Sequence, residues 1–187
     1  MKLSTKTLLL PILCLSFLSL NAQYEMKPVA GYSPQIGLMV YMLENLKERI
    51  TEQVKDLDQT QTDFMFDEEA NSIGALIMHL VATEAYYQIE SLEGRPWTEA
   101  DEERMGLGGE LNKASKQKLK GKPIQHYLKL WDEVRQKTLT GLQTKDDAWF
   151  ASAIDDGFNH HWAWYHVMEH SANHMGQIAL VKNRLPE

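Results

Sequence analysis

The chain has 187 residues, with 26 acidic against 19 basic side chains and a formal net charge of −7. That balance gives no general attraction to nucleic acid or to an anionic membrane surface. Cys14 is the only cysteine, so disulfide stapling, thiolate nucleophiles and cysteine-built metal sites are excluded from the body of the chain.

The first segment, residues 1–22, reads as a secretory signal peptide. Lys2 and Lys6 make a short basic start, Leu8–Leu20 is an apolar run, and Ala22 offers a cleavage position. The run is too short to span a bilayer as a helix, and Pro11 interrupts it. Leu13 stands before Cys14 where a lipoprotein signal would want a small residue, which argues against a lipid anchor. The expected product is an exported protein, periplasmic or extracellular, made of residues 23–187. Without Lys2 and Lys6 its 17 basic residues face 26 acids, a net charge of −9, and its length fits one domain.

Four stretches then carry helical periodicity. In "PQIGLMVYMLENLKERITEQVKDL", Ile36, Val40, Leu43, Ile50, Val54 and Leu57 recur three or four apart, with Lys47 the one lapse. Ser33 suits the cap and Pro34 the first turn. "SIGALIMHLVATEAYYQIESLEG" starts from Asn71 or Ser72 and ends near Gly94. A long polar connection follows, about residues 95–122, which reads as a solvated crossover with at most a short helix. "PIQHYLKLWDEVRQKTLTGL" starts at Pro123 and aligns Ile124, Tyr127 or Leu128, Trp131, Val134 and Leu142. The last helix runs from about Asn159 to Arg184 and stops before Pro186. No stretch alternates with period two between hairpin signals, so the expected fold is all-α, a four-helix bundle with a long crossover between the second and third helices.

The last helix carries "HVMEHSANHMGQ". With His170 at zero and 100° per residue, His174 lies at about +40°, His166 at about −40° and Gln177 at about −20°. Ala163, Val167 and Val181 flank the row, which therefore faces inward, whereas His161 falls on the opposite face and reads as a surface residue. His160, near the helix start, stays open. Two imidazoles one turn apart can share a divalent cation. His79, in "GALIMHLVA", is the best third ligand, because a histidine on a small apolar face needs a partner and its neighbours leave room for one. Three neutral imidazoles suit Zn²⁺ or Ni²⁺ first and also Fe²⁺ or Mn²⁺, and they leave at least one coordination position open. "EHSANH" is not the zinc-protease pattern: Glu169 precedes its histidine and points off the metal face.

"NSIGALIMHLVATEAYY" and "HVMEHSANHMGQIALVKNRLP" resemble the second and last helices of the DinB/YfiT-like superfamily of metal-binding four-helix bundles. The resemblance implies His79, His170 and His174 as the metal ligands and residues 23–187 as the domain. Asn173 stands where members often have a further histidine, and Met175 where many have arginine before Gly-Gln. Members include thiol-dependent S-transferases, a maleylpyruvate isomerase and proteins described as metal-dependent hydrolases. An exported protein would not ordinarily meet cytosolic thiols, which counts against the transferase reading.

The first expectation is therefore an exported metal-dependent enzyme, hydrolase or transferase in type, acting on a small molecule. His166, Gln177 and Tyr86 are its candidates for orienting substrate or bound water. The alternative is a non-catalytic metal-binding or stress-associated bundle whose Trp162, Trp164 and Tyr165 contact a partner. The expectation includes no nucleic acid and no stable membrane insertion; the resemblance adds a homodimer.

Overall fold

The structure, a computed structural model, describes residues 25–186; the expected leader, residues 1–22, lies outside the described residues. Among the described residues there is no strand, only an isolated bridge between Ala153 and Asn159 that closes the turn before the last helix.

Four long helices make the bundle: α1 (Pro34–Val54), α3 (Ile73–Tyr87), α6 (Ile124–Gln143) and α8 (His160–Lys182). Shorter helices fill the connections: α2 (Gln59–Asp63), α4 (Glu99–Gly109), α5 (Lys113–Lys118) and α7 (Asp147–Ala151). α1 packs on α8 and α6, and α3 packs on α8 and α6, so α1 and α3 face each other across the diagonal. Among the described residues no helix is long and apolar enough to cross a membrane.

Each long helix begins where the sequence provides an end for it. Ser72 accepts from the Ala75 N–H at 3.2 Å, and Asn159 accepts from the Trp162 N–H at 2.8 Å. At α1 the expected cap works differently. Ser33 holds the cap position, but its hydroxyl donates to Asp147, whose Oδ1 also accepts from the Gln35 N–H at 3.1 Å. A carboxylate from α7 thus meets the positive end of the α1 dipole.

α3 is buried on nearly every side, as an almost uniformly apolar helix must be. α6 and α8 cover two of its faces, and α4 covers a third. The crossover is therefore more than a solvated connection: its outer side stays exposed, while its inner side packs on α3. Thr98 starts α4 with a capping box to Asp101, and Met105 and Gly108 of α4 are buried. An ideal Cβ at Gly108 would stand 2.5 Å from the Met78 carbonyl oxygen, so only glycine lets the two backbones approach this closely.

Beyond Tyr87 the helix widens into a π-helical segment, Gln88–Glu93, which ends at Gly94 with φ of 61°. Here Gln88 turns inward and donates to Thr138 Oγ1 at 2.7 Å. The same wall holds an ion pair that periodicity does not reveal. Arg135 donates to both oxygens of Glu84, at 2.7 and 2.9 Å, with the two side chains only 3% and 1% exposed. Trp131 and Thr138 also donate to Glu84, at 3.0 and 2.6 Å. Burial pushes the Glu84 carboxyl up, but the Arg135 charge and these hydrogen bonds outweigh it and hold the group below its usual range.

Candidate metal centre

His79 projects from the middle of α3, and His170 and His174 from the facing side of α8. The helices bring the three imidazoles together as the row on α8 and the small face of α3 require. Ring centroids are 4.8 Å apart for His79 and His170, 5.0 Å for His79 and His174, and 4.5 Å for His170 and His174. One nitrogen from each ring lies within 4.8 Å of the other two. Nitrogens bound at about 2.0–2.1 Å to one ion sit no more than about 4 Å apart, so the rings need to turn inward only slightly.

The second nitrogen of two of these rings is already committed. His79 Nδ1–H donates to the Gly108 carbonyl oxygen at 2.7 Å, and His174 Nδ1–H donates to Gln177 Oε1 at 3.1 Å. Both partners are pure acceptors, which places the proton on Nδ1 and leaves the Nε2 lone pair free. His170 Nε2 is buried and has no hydrogen-bond partner. A buried ring nitrogen without a partner costs free energy unless something else meets it, and a cation shared by three imidazoles would do so.

Charge favours the same reading. Burial, with repulsion from His174, His79 and His166, pushes the His170 imidazole down to about 4. Burial and His79 likewise lower His174, against a smaller opposing effect of Gln177. Both rings are neutral at pH 7, the state a metal ligand needs. Among the described residues the group consists of three histidines, with no carboxylate or cysteine as a fourth member.

A cleft of about 880 Å³ opens beside the cluster, with His170 in its wall. Thr83, Tyr86 and Tyr87 line one side, α4 and α5 form another, and His166 completes it from α8. His166 lies 5.4 Å from His170 between centroids and stacks on Trp162 at 5.2 Å and 6°. Its Nδ1–H donates to Glu169 Oε1 at 3.1 Å, so the hydrogen bond of Glu169 goes to His166 and not to a member of the cluster. Tyr86 forms part of the wall, and burial, then Glu90, raises its phenol above the ordinary value. Gln177, the third residue singled out for orienting substrate, does not line the cleft; it holds His174.

Five further residues find their places. His160 is a structural residue: its Nδ1 accepts from the Ser91 hydroxyl at 2.9 Å, and its ring stacks on Trp149 at 4.0 Å. His161 is exposed and lies on Phe150 at 4.4 Å. Of the aromatics read as a partner surface, Trp162 and Tyr165 are 44% and 43% exposed, but Trp164 is fully buried. Trp164 is therefore no part of a partner surface: it packs in the core with Ile36, Leu43, Leu142 and Phe150 and donates to Ser91 Oγ at 3.0 Å.

The residues that sequence reading passed over are those of the crossover, above all Gly108 and Trp97. Their signals were present: "TEAD" is a capping-box start, and the glycines of "MGLGGE" within a helix mark a close backbone approach. The family model described as Mycothiol-S-transferase matches residues 38–186, which include all three histidines. No curated protein matches the chain.

Proposed function

The chain belongs to the mycothiol-S-transferase family, a DinB/YfiT-like family, and from that premise we propose that it is a metal-dependent enzyme transferring a small thiol to an electrophile. The observation that carries the reading is the buried, partnerless Nε2 of His170 between two imidazoles whose tautomers leave Nε2 free. His79, His170 and His174 would hold the ion, Zn²⁺ or Ni²⁺ by preference and Fe²⁺ or Mn²⁺ as compatible alternatives. Bound there, a divalent cation supplies Lewis acidity that lowers the pKa of a thiol or water in the open position.

The chain's own residues do the rest. Cys14 is its only cysteine, so the attacking sulfur comes from the substrate. Gly108 and Gln177 keep two ligand rings in one tautomer. His166, with Nδ1 engaged by Glu169, presents Nε2 as the free acceptor for the thiol proton. The sulfur then forms its bond to the electrophilic carbon, and the leaving group departs with the bonding pair. Tyr86 would help to hold the electrophile against the aromatic wall.

We also propose export, on the strength of residues 1–22 alone. That placement favours a second reading, in which water replaces the thiol and the enzyme is a hydrolase. A zinc-loaded preparation of residues 23–187, given mycothiol and 1-chloro-2,4-dinitrobenzene, separates the two. The transferase reading requires S-conjugate formation well above the buffer rate, and its loss in His170→Ala. No acceleration with zinc or nickel, in protein shown by elemental analysis to hold the metal, would remove it.

A further inference from the structure

Resting on the reading that the cleft beside the three histidines is the substrate site, we propose that it selects a ligand carrying an organic ammonium on an apolar or aromatic body. Carboxylates and phosphates are disfavoured. The cleft has the volume of a small-molecule site. Its surface combines two features that together recognise such a cation.

The first is an aromatic corner. Trp97, from the segment before α4, meets Tyr86 with ring centroids 5.8 Å apart and planes inclined at 41°. Tyr87 stands edge-on to Tyr86 at 5.3 Å. Two inclined ring faces offer an ammonium the negative side of their quadrupoles, which a carboxylate would find repulsive. The Trp97 indole N–H donates to Glu102 Oε2 at 3.1 Å, which adds electron density to the ring and fixes a carboxylate at its edge.

The second feature is the sign of the mouth. Glu102, Glu103 and Glu110 line the cleft against a single cationic side chain, Lys118. These three carboxylates are exposed, on α4 and just beyond it, whereas the imidazole cluster is half-buried or deeper. A cation held by the histidines therefore acts on the inner end of a ligand, and the carboxylates act on its outer end. The chain's own net charge of −7 adds to the repulsion an anion meets on approach.

The test is a fluorescence titration of the zinc-loaded protein with three benzyl probes of one size: benzyltrimethylammonium, the alcohol 2-methyl-1-phenyl-2-propanol and phenylmethanesulfonate. The ammonium should bind about tenfold or more tightly than the alcohol, as one good desolvated cation–π contact with a nearby carboxylate provides, and the sulfonate more weakly than either. Glu102→Gln combined with Glu103→Gln, both exposed positions, should bring the ammonium down to the level of the alcohol. In the unsubstituted protein, ammonium binding alone should weaken steeply with added salt. Equal affinity for ammonium and alcohol, or tighter binding of the sulfonate, would overturn the proposal. Mycothiol transfer is assayed on the same preparation. Ammonium selection without transfer leaves this proposal standing and removes the transferase reading; transfer without ammonium selection does the reverse.

Discussion

The Nδ1 of His79 lies 2.7 Å from the carbonyl oxygen of Gly108, a residue 29 positions further along the chain. The contact exists because Gly108 lacks a side chain and α4 can settle against the backbone of α3. One glycine thus sets both the packing of the crossover and the tautomer of a histidine in the cluster.

Substituting that glycine should therefore affect metal and fold together. In Gly108→Ala the new Cβ meets the Met78 carbonyl oxygen at 2.5 Å and the Ala82 Cβ at 2.8 Å, so α4 must move off. The expected cost is about 1–3 kcal/mol of stability. Loss of the histidine's acceptor should weaken zinc binding by roughly 10–100-fold. A chelator-competition titration and a urea melt read the two effects, and unchanged zinc affinity would show that the carbonyl does not matter to the ring.

Gln177 separates the same effect from packing, because it is exposed and holds only His174. Gln177→Ala should lower metal affinity by roughly tenfold through the freed ring. The urea midpoint of the metal-free protein should stay where it was. A shift in that midpoint with intact affinity would assign Gln177 to folding instead.

Acid should release the metal and destabilise the metal-free protein in one window. The His170 imidazole lies at about 4 in the folded chain against an ordinary 6.5, so between those values the unfolded chain binds the extra proton. Stability therefore rises with pH across the window: this contribution is complete above about 6.5 and is lost as pH falls through about 4. His174, also lowered, adds in the same direction. Urea midpoints of the metal-free protein from pH 7 downward should fall, and His170→Gln should flatten the slope. An equally steep slope in that variant would place the titration elsewhere.

The Glu84–Arg135 pair should carry stability without touching the cluster. Glu84→Gln leaves a buried guanidinium with only the half-exposed Glu44 as its ionic partner, at 2.8 Å. Stranding a buried charge costs about 3–5 kcal/mol. The denaturant midpoint should drop accordingly, while zinc stoichiometry in the folded protein stays unchanged. A drop under about 1 kcal/mol would mean that the pair contributes as little as an exposed one.

The sequence alone determined the four long helices and the face of the histidine row. A 3.6-residue period, a serine or asparagine cap and a terminal proline act within a few residues, so the chain states them locally. α8 runs His160–Lys182 and α6 starts after Pro123, both as the pattern requires. The inward turn of His170 and His174 and the candidacy of His79 were legible for the same reason. Only the tertiary structure decided what meets what. Trp162 and Trp164 are two residues apart with similar chemistry, yet one is exposed and the other fully buried, because α8 has neighbours on two faces and not on the third. The polar crossover becomes the third cover of α3 since an all-round apolar helix leaves a face that some element must bury. Glu84 and Arg135, 51 residues apart, are ordinary helix-surface residues until the packing of α3 on α6 puts them inside together. Contacts at that separation depend on how helices pair, and no local period records the pairing.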